Sequence, residues 1–242
     1  MQNKSPYQGK IKIFSDGADL KSMIEVSKNP LVKGLTTNPS LMRKAGVSDY
    51  KKFALEVLAN IKDKGISFEV FSDELGEMER QAHEINSWGK NVYVKIPISN
   101  TEGVSTLGLV KKLTQAGVKL NVTALLTYRQ VLETAQSLQG GAPSIVSVFA
   151  GRIADTGIDP MPLMYASAEV CEAYGKDIEL LWASSREVWN ILQAEQSGCK
   201  IITVTNDILK KFQTMMNKDL SELSLDTVKM FKKDSDDAGF NL

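Results

Sequence analysis

The chain has 242 residues, of which 43% are hydrophobic and 24% are charged, a composition typical of one large soluble globular domain. Lys+Arg and Asp+Glu each number 29, so the net charge is zero, and no basic face is expected for nucleic acid or a membrane. No apolar stretch approaches the roughly 20 residues of a membrane span. The first residues also lack a signal peptide's apolar core, so we expect a cytoplasmic protein.

Eight short apolar runs are predicted strands, and they occupy, in chain order, residues 11–16, 34–38, 66–72, 91–98, 119–125, 145–150, 178–183 and 200–205. Apolar spacing of three and four residues predicts amphipathic helices between them, at residues 50–62, 75–88, 103–115, 129–138, 162–174 and 185–195. This alternation predicts an α/β fold, a single (β/α)8 TIM barrel. An open doubly wound sheet is the alternative, but the first strand lacks the Gly-rich turn that usually follows it.

We expect residues 1–242 to form one barrel domain with a C-terminal helical tail. The tail, residues 230–242, is charged and ends in an apolar patch. It is either a frayed end or a helix that docks on a neighbouring subunit.

Few residue types are available for metal or redox chemistry. The chain has one histidine, His83, and two cysteines, Cys171 and Cys199, without paired spacing. A zinc site needs about three or four His or Cys ligands, so these residues are not expected to form one. A disulfide is not expected either. Carboxylate-bound magnesium stays open on composition, although no carboxylate cluster indicates it. The chemistry is therefore left to lysine, carboxylates and hydroxyls.

Lys95 lies inside the apolar run at residues 92–98, which is typical of a strand buried on both faces. Lysine is rarely buried without a functional reason. Burial disfavours the ammonium form, and a neutral amine attacks ketones to form Schiff bases. The alternative is a lysine at a strand end that extends its charge into solvent.

Further polar residues fall at or just after the ends of predicted strands, where the active site of a barrel lies; these are Asp16, Asn38, Glu69, Asn121, Thr123, Arg152, Ser184 and Arg186. Glu69, between apolar neighbours, suits a general acid/base. Asp16 could accept a proton from a substrate hydroxyl, or could instead be a helix N-cap.

The remaining polar residues suit substrate binding. Thr123 could hold a water molecule, and Asn38 and Asn121 could hydrogen-bond substrate hydroxyls. Arg152 and Arg186, with the hydroxyl of Ser184, could bind a phosphate.

At these residues the chain resembles the transaldolase family. The resemblance rests on residues 34–40 (GLTTNPS), 92–97 (VYVKIP), 121–123 (NVT), 148–153 (VFAGRI) and 183–186 (ASSR). It implies a Schiff-base nucleophile at Lys95 and proton transfer by Glu69, Asp16 and Thr123. It also implies substrate contacts from Asn38, Asn121 and Ser147, and phosphate contacts from Arg152, Ser184 and Arg186. Sugar phosphates would be the ligands, no cofactor or metal would be needed, and a homo-oligomer is expected.

The compact members of this family include transaldolases and fructose 6-phosphate aldolases, and two positions bear on the choice. The aldolases carry glutamine where this chain has Glu69 and tyrosine where it has Phe149. A tyrosine hydroxyl helps to position the water that releases dihydroxyacetone, and phenylalanine lacks it. The resemblance therefore favours a transaldolase of the non-oxidative pentose phosphate pathway. The alternatives are an aldolase and a non-catalytic sugar-phosphate-binding barrel.

Two residues depart from the family pattern. Ser185 replaces a larger apolar residue, and Trp182 is bulkier than the usual occupant. If Trp182 points into the barrel, the floor of the pocket is altered.

Overall fold

The computed structural model describes residue 7 and residues 9–240. Eight parallel strands pair in sequence order, and β8 pairs with β1 to close a barrel. The strands are β1 (Lys12–Asp16), β2 (Val32–Thr36), β3 (Gly65–Glu69), β4 (Val92–Pro97), β5 (Leu120–Leu125), β6 (Ser144–Val148), β7 (Ile178–Trp182) and β8 (Ile201–Thr205). Helices alternate with the strands, so the predicted (β/α)8 barrel is confirmed.

Eleven helices accompany the strands in the described residues. They are α1 (Leu20–Ser27), α2 (Pro39–Lys44), α3 (Tyr50–Asn60), α4 (Leu75–Ser87), α5 (Leu107–Gln115), α6 (Tyr128–Leu138), α7 (Ala150–Asp155), α8 (Met161–Tyr174), α9 (Trp189–Gln196), α10 (Asn206–Met215) and α11 (Leu220–Asp237). The apolar spacing did not predict α1, α2, α7, α10 or α11, and two of these, α2 and α7, have only six residues each. Such short helices are less than two turns long and show little periodicity.

Two predicted helices begin too early. The helix predicted from residue 103 begins at Leu107, because the amide oxygen of Asn100 accepts hydrogen bonds from the backbone of Glu102 and Val104 and holds a turn there. The helix predicted from residue 185 begins at Trp189. The backbone N–H of Arg186 instead donates to Asn190 Oδ1 at 2.7 Å.

Alternation along each strand separates an inner face of the barrel from an outer face that the helices cover. Apolar side chains fill the interior; they are Phe14, Ile145, Leu181, Ala183 and Ile201, with Tyr93 and Phe149 packed against them. Gly34 makes room for this cluster, because a Cβ atom there would lie 2.5 Å from the ring of Phe14. The barrel interior is thus a packed core, and in such a barrel the active site is expected at the carboxyl ends of the strands.

The chain divides into two compact units. Residues 9–209 form the barrel. In the second unit Tyr7 packs edge-on against Phe212, with ring centroids 5.1 Å apart, and α11 contains no buried residue. In the tail, residues 230–237 belong to α11, while residues 241 and 242 lie outside the described residues. Docking of the tail on a neighbouring subunit stays a prediction, as does the single domain over residues 1–242.

Candidate active site

A cavity of about 400 Å³ opens at the carboxyl ends of the strands. Its lining residues are Asp16, Thr36, Asn38, Pro39, Ser40, Glu69, Lys95, Thr123, Ala124, Phe149, Arg152, Ala183, Ser184 and Thr203. Most of the predicted site residues are among them, while Asn121, Ser147 and Arg186 are not. The barrel therefore brings residues from all eight of its strands, or from the segments that follow them, around one space.

Lys95 lies in the wall of this cavity, and its side chain is buried. Its strand register places it beside Glu69 on one neighbouring strand and Asn121 on the other. The amine Nζ is 3.1 Å from Glu69 Oε2, and it donates to the backbone oxygen of Thr37 at 3.1 Å. Lys95 is only 8% exposed, so the alternative in which the charge extends into solvent is wrong.

Asp16 is held by two donors, one at the end of β2 and one just after it. Thr36 Oγ1 donates to Oδ1 at 2.9 Å, and Asn38 Nδ2 donates to Oδ2 at 3.2 Å. Burial raises the pKa of the Asp16 carboxyl, and nearby Lys95 opposes that rise. The N-cap of α1 is Asp19, which accepts from Ser22 N. Asp16 is therefore free of that structural role and faces the cavity.

Thr123 provides a buried hydroxyl that has no hydrogen-bond partner among residues 9–240. The chain bulges directly after it, because Ala124 adopts a φ of 65° and the pairing of β5 with β6 shifts register there. Buried hydroxyls normally have a partner. Thr123 Oγ1 is thus available to a water molecule or a ligand at the cavity wall.

Asn121 and Ser147 form a network inside the barrel. Asn121 Nδ2 donates to Ser67 Oγ at 3.0 Å, and Ser147 Oγ donates to Asn121 Oδ1 at 2.6 Å. Both residues are almost fully buried, and neither lines the cavity. In this arrangement they satisfy one another, and their contact with a substrate stays a prediction.

Arg152 and Phe149 lie together on another side of the cavity. The guanidinium carbon of Arg152 is 5.2 Å from the centroid of the Phe149 ring, a cation–π arrangement. Phe149 is partly buried, and Arg152 is exposed. The contact keeps a positive charge at the cavity, where it can attract an anionic ligand.

Arg186 does not line the cavity, because it is paired with Asp155. Its Nε donates to Oδ1 at 3.0 Å and its Nη2 to Oδ2 at 2.5 Å, while Nη1 donates to the backbone oxygen of Ser184. The guanidinium holds the pKa of the Asp155 carboxyl below its usual range. The predicted pair of arginines is therefore divided, with only Arg152 at the cavity.

Ser184 and Gly151 make a close backbone contact. A Cβ atom at residue 151 would lie 1.6 Å from the carbonyl oxygen of Ser184. Ser184 also has a φ of 60°, in the left-handed region that few non-glycine residues adopt. The segments after β6 and β7 are thereby fixed against each other, with Ser184 at the cavity wall.

Trp182 and Ser185 do not alter the floor of the cavity. Leu181 and Ala183 face the barrel interior, so alternation along β7 points Trp182 towards the helices, where it is 1% exposed. Ser185 Oγ donates to the backbone oxygen of Thr203. Both departures from the family pattern are thus accommodated outside the cavity.

Six residues that line the cavity were not among the predicted site residues; they are Thr36, Pro39, Ser40, Ala124, Ala183 and Thr203. Thr36 lies in the segment GLTTNPS, and Thr203 lies on β8. A threonine in a strand is ordinary, since β-branched residues favour strands. The one available signal was the alternation of side chains along a strand. It places Thr203 on the same face of β8 as Ile201, which lies in the barrel interior.

Residue 7 and residues 9–240 contain no group of three or more His, Cys, Asp or Glu residues that could hold a metal ion. Cys171 and Cys199 are both free and buried, and burial raises the pKa of each thiol to about 12. No helix in the described part of the chain is long and apolar enough to cross a membrane.

Comparisons with known proteins agree with this architecture. Residues 13–242 match the model of the transaldolase/fructose-6-phosphate aldolase family. A probable transaldolase of Dehalococcoides mccartyi is 36% identical over 199 residues, which cover 82% of this chain and 88% of that protein. A probable transaldolase of Methanococcus maripaludis is 35% identical over 83% of this chain and 89% of its own length. A third, from a Thermoanaerobacter species, is 32% identical over 96% of this chain and its own full length.

The matched residues include every residue that lines the cavity. The same family was indicated by the five segments in the sequence. The chain belongs to the transaldolase/fructose-6-phosphate aldolase family.

Proposed function

We propose that this protein is a transaldolase, which transfers a dihydroxyacetone unit from a ketose phosphate to an aldose phosphate. The ketose would be sedoheptulose 7-phosphate or fructose 6-phosphate. The observation that most supports this is the buried amine of Lys95, 3.1 Å from Glu69 Oε2 at the cavity wall. A nucleophilic amine and a carboxyl group are the two parts needed to make and break a Schiff base.

In the proposed reaction the Lys95 amine attacks the ketone carbon, and the carbonyl oxygen leaves as water with protons carried by Glu69. The iminium then accepts the electrons of the breaking carbon–carbon bond. Asp16 takes the proton of the hydroxyl on the carbon at the far side of the breaking bond. That carbon becomes an aldehyde, and the aldose phosphate leaves. Dihydroxyacetone stays on Lys95 as an enamine. No metal or organic cofactor is needed, because the iminium is the electron sink.

The acceptor aldose reverses these steps. Its aldehyde carbon bonds to the enamine, and a water held by Thr123 and activated by Glu69 hydrolyses the new Schiff base. The unpartnered hydroxyl of Thr123 supports this role. The positive charge of Arg152 at the cavity, with Ser184, supports a phosphate site there.

Glu69 and Phe149 support transfer over release. Phenylalanine has no hydroxyl to hold a water near the covalent intermediate, so the enamine should persist until an aldose arrives. The names of the relatives, each a probable transaldolase, also favour this choice. A place in the non-oxidative pentose phosphate pathway, a cytoplasmic location and a homo-oligomeric state stay predictions.

The test is to trap the intermediate. The protein is incubated with fructose 6-phosphate and borohydride, digested and analysed by mass spectrometry. We expect a three-carbon adduct on Lys95. Absence of an adduct would leave the non-catalytic sugar-phosphate-binding barrel as the better proposal.

A second measurement separates the two enzymes of the family. Transfer from fructose 6-phosphate to erythrose 4-phosphate is compared with release of free dihydroxyacetone from the same ketose. We expect transfer to be faster. Faster release would identify a fructose 6-phosphate aldolase instead.

A further inference from the structure

A chain of hydroxyl groups leads from the cavity wall to Asp16. Thr203 Oγ1 on β8 lies 2.6 Å from Thr36 Oγ1 on β2, and Thr36 Oγ1 lies 2.9 Å from Asp16 Oδ1 on β1. Thr203 is 7% exposed and Thr36 is 3% exposed. All three residues line the cavity, so the chain is part of its wall.

The chemistry of the groups fixes the direction of these hydrogen bonds. A hydroxyl has one hydrogen, and an ionised carboxylate can only accept. Thr36 must therefore give its hydrogen to Asp16. The bond between the two threonines must then use the hydrogen of Thr203. The oxygen of Thr203 is left as an acceptor at the cavity wall.

The other oxygen of Asp16 is held in a similar way. Asn38 Nδ2 donates to Oδ2 at 3.2 Å, and its own Oδ1 caps α2 by accepting from Leu41 N at 2.9 Å. The cap fixes the amide orientation of Asn38. Both donors to the Asp16 carboxylate are therefore held in place by a second hydrogen bond. Thr203 holds Thr36, and the N-cap of α2 holds Asn38.

We infer that Thr203 is a positioning residue for Asp16 in the transaldolase reaction proposed above, on which this inference rests. Its hydroxyl keeps the hydrogen of Thr36 directed at the carboxylate. Hydrogen bonds to the ionised form of a carboxyl group stabilise that form. The chain thus keeps a buried carboxylate able to accept the proton of a substrate hydroxyl.

Other charged groups also face Asp16. Lys95 and Glu69 act on it electrostatically, and Arg152 lines the same cavity. None of the three contacts the hydroxyl of Thr203 in the hydrogen bonds and ion pairs described. A change confined to that hydroxyl therefore tests the chain and leaves these charges in place.

The test uses Thr203→Val, which removes the hydroxyl and keeps the shape, and Thr203→Ser, which keeps the hydroxyl. For transfer from fructose 6-phosphate to erythrose 4-phosphate, we expect Thr203→Val to lower kcat about three- to tenfold, with KM within about twofold of wild type. The acid limb of its kcat–pH profile should move to higher pH, because a weaker hydrogen bond to the carboxylate raises the pKa of Asp16. Thr203→Ser should restore both.

Thr134→Val is the matched control. Thr134 is fully buried in α6, and its hydroxyl has no hydrogen-bond partner in the part of the chain that the structure describes. Its loss should leave kcat and the pH profile unchanged. If Thr203→Val does not fold, as judged by circular dichroism, Thr203→Ala takes its place.

The outcomes separate this inference from the proposed function. If wild type forms no three-carbon adduct on Lys95, the proposed function itself is wrong. If wild type forms the adduct, and Thr203→Val has the same kcat and the same acid limb of the kcat–pH profile as wild type, the inference is overturned. A lower kcat with an unmoved acid limb, or an equal loss in Thr203→Ser, also overturns it.

Discussion

Lys95 Nζ and Glu69 Oε2 lie 3.1 Å apart on neighbouring strands whose register pairs the two residues directly. The distance is short enough for direct proton transfer between an amine or its adducts and the carboxyl group. The register of β3 on β4 thus brings the proposed nucleophile and the proposed acid/base together.

Glu69→Gln should lower the rate of transfer by about 10²- to 10⁴-fold, because the amide cannot carry protons to and from the Schiff base. The rate is measured with fructose 6-phosphate and erythrose 4-phosphate. Glu179→Gln is the control, since Glu179 pairs with Lys12 at the amino ends of the strands. Near-wild-type transfer in Glu69→Gln would contradict the assigned role.

Lys95→Arg should abolish transfer and leave the fold intact, because a guanidinium cannot form the imine. Circular dichroism checks the fold, and borohydride trapping checks the adduct. Lys12→Arg makes the same change at a lysine paired with Glu179, and it should stay active. Residual turnover in Lys95→Arg near the wild-type rate would exclude Lys95 as the nucleophile.

Gly151→Ala should destabilise the protein by about 1–3 kcal/mol, because the new methyl group meets the backbone oxygen of Ser184. Displacement of Ser184 should also raise KM for the ketose phosphate. Urea unfolding gives the stability change. Gly108→Ala is the control: it lies within α5 with nothing near the new methyl group, and it should stabilise the helix by about 0.5–1 kcal/mol. Equal stability in the two variants would argue against the contact.

Asp16→Asn should become more stable relative to wild type as pH rises. The pKa of Asp16 is raised in the folded state, so the folded protein holds this proton at a pH where the unfolded chain has lost it. Wild type therefore loses stability as pH rises from about the usual aspartate value of 3.9 through the raised pKa. An asparagine does not titrate and escapes this loss.

The measurement is the free energy of urea unfolding of both proteins at several pH values from acid to neutral. Asp155→Asn should show the opposite trend, because Arg186 lowers the pKa of Asp155 and its ionised form favours folding. A stability difference between wild type and Asp16→Asn that does not change with pH would show that burial does not raise this pKa.

Much of the fold follows from patterns that can be counted in the sequence. The apolar run around Lys95 predicted residues 91–98, and the strand occupies Val92–Pro97. A run buried on both faces leaves little doubt about its type or position. The helices α2 and α7 escaped prediction because six residues are too few to display a 3.6-residue period.

The site was harder to predict where it depends on pairs distant in the chain. Thr203 looks like any strand threonine until the closed barrel sets its hydroxyl 2.6 Å from that of Thr36. Arg186 looked free to bind phosphate, yet Asp155, 31 residues earlier, holds its guanidinium. Strand-end position predicts which residues meet at the rim, but it does not predict which partner each one takes.

The ion pair of Asp155 and Arg186 sets a condition on any anion that would bind there. Such an anion would have to displace the Asp155 carboxylate from the Arg186 guanidinium, and the carboxylate would return to solvent. The anion gains only the difference between the two contacts. A phosphate carries more charge and more acceptor oxygens than a carboxylate. A phosphate would therefore compete with Asp155 for the Arg186 guanidinium more effectively than a ligand that carries only a carboxylate.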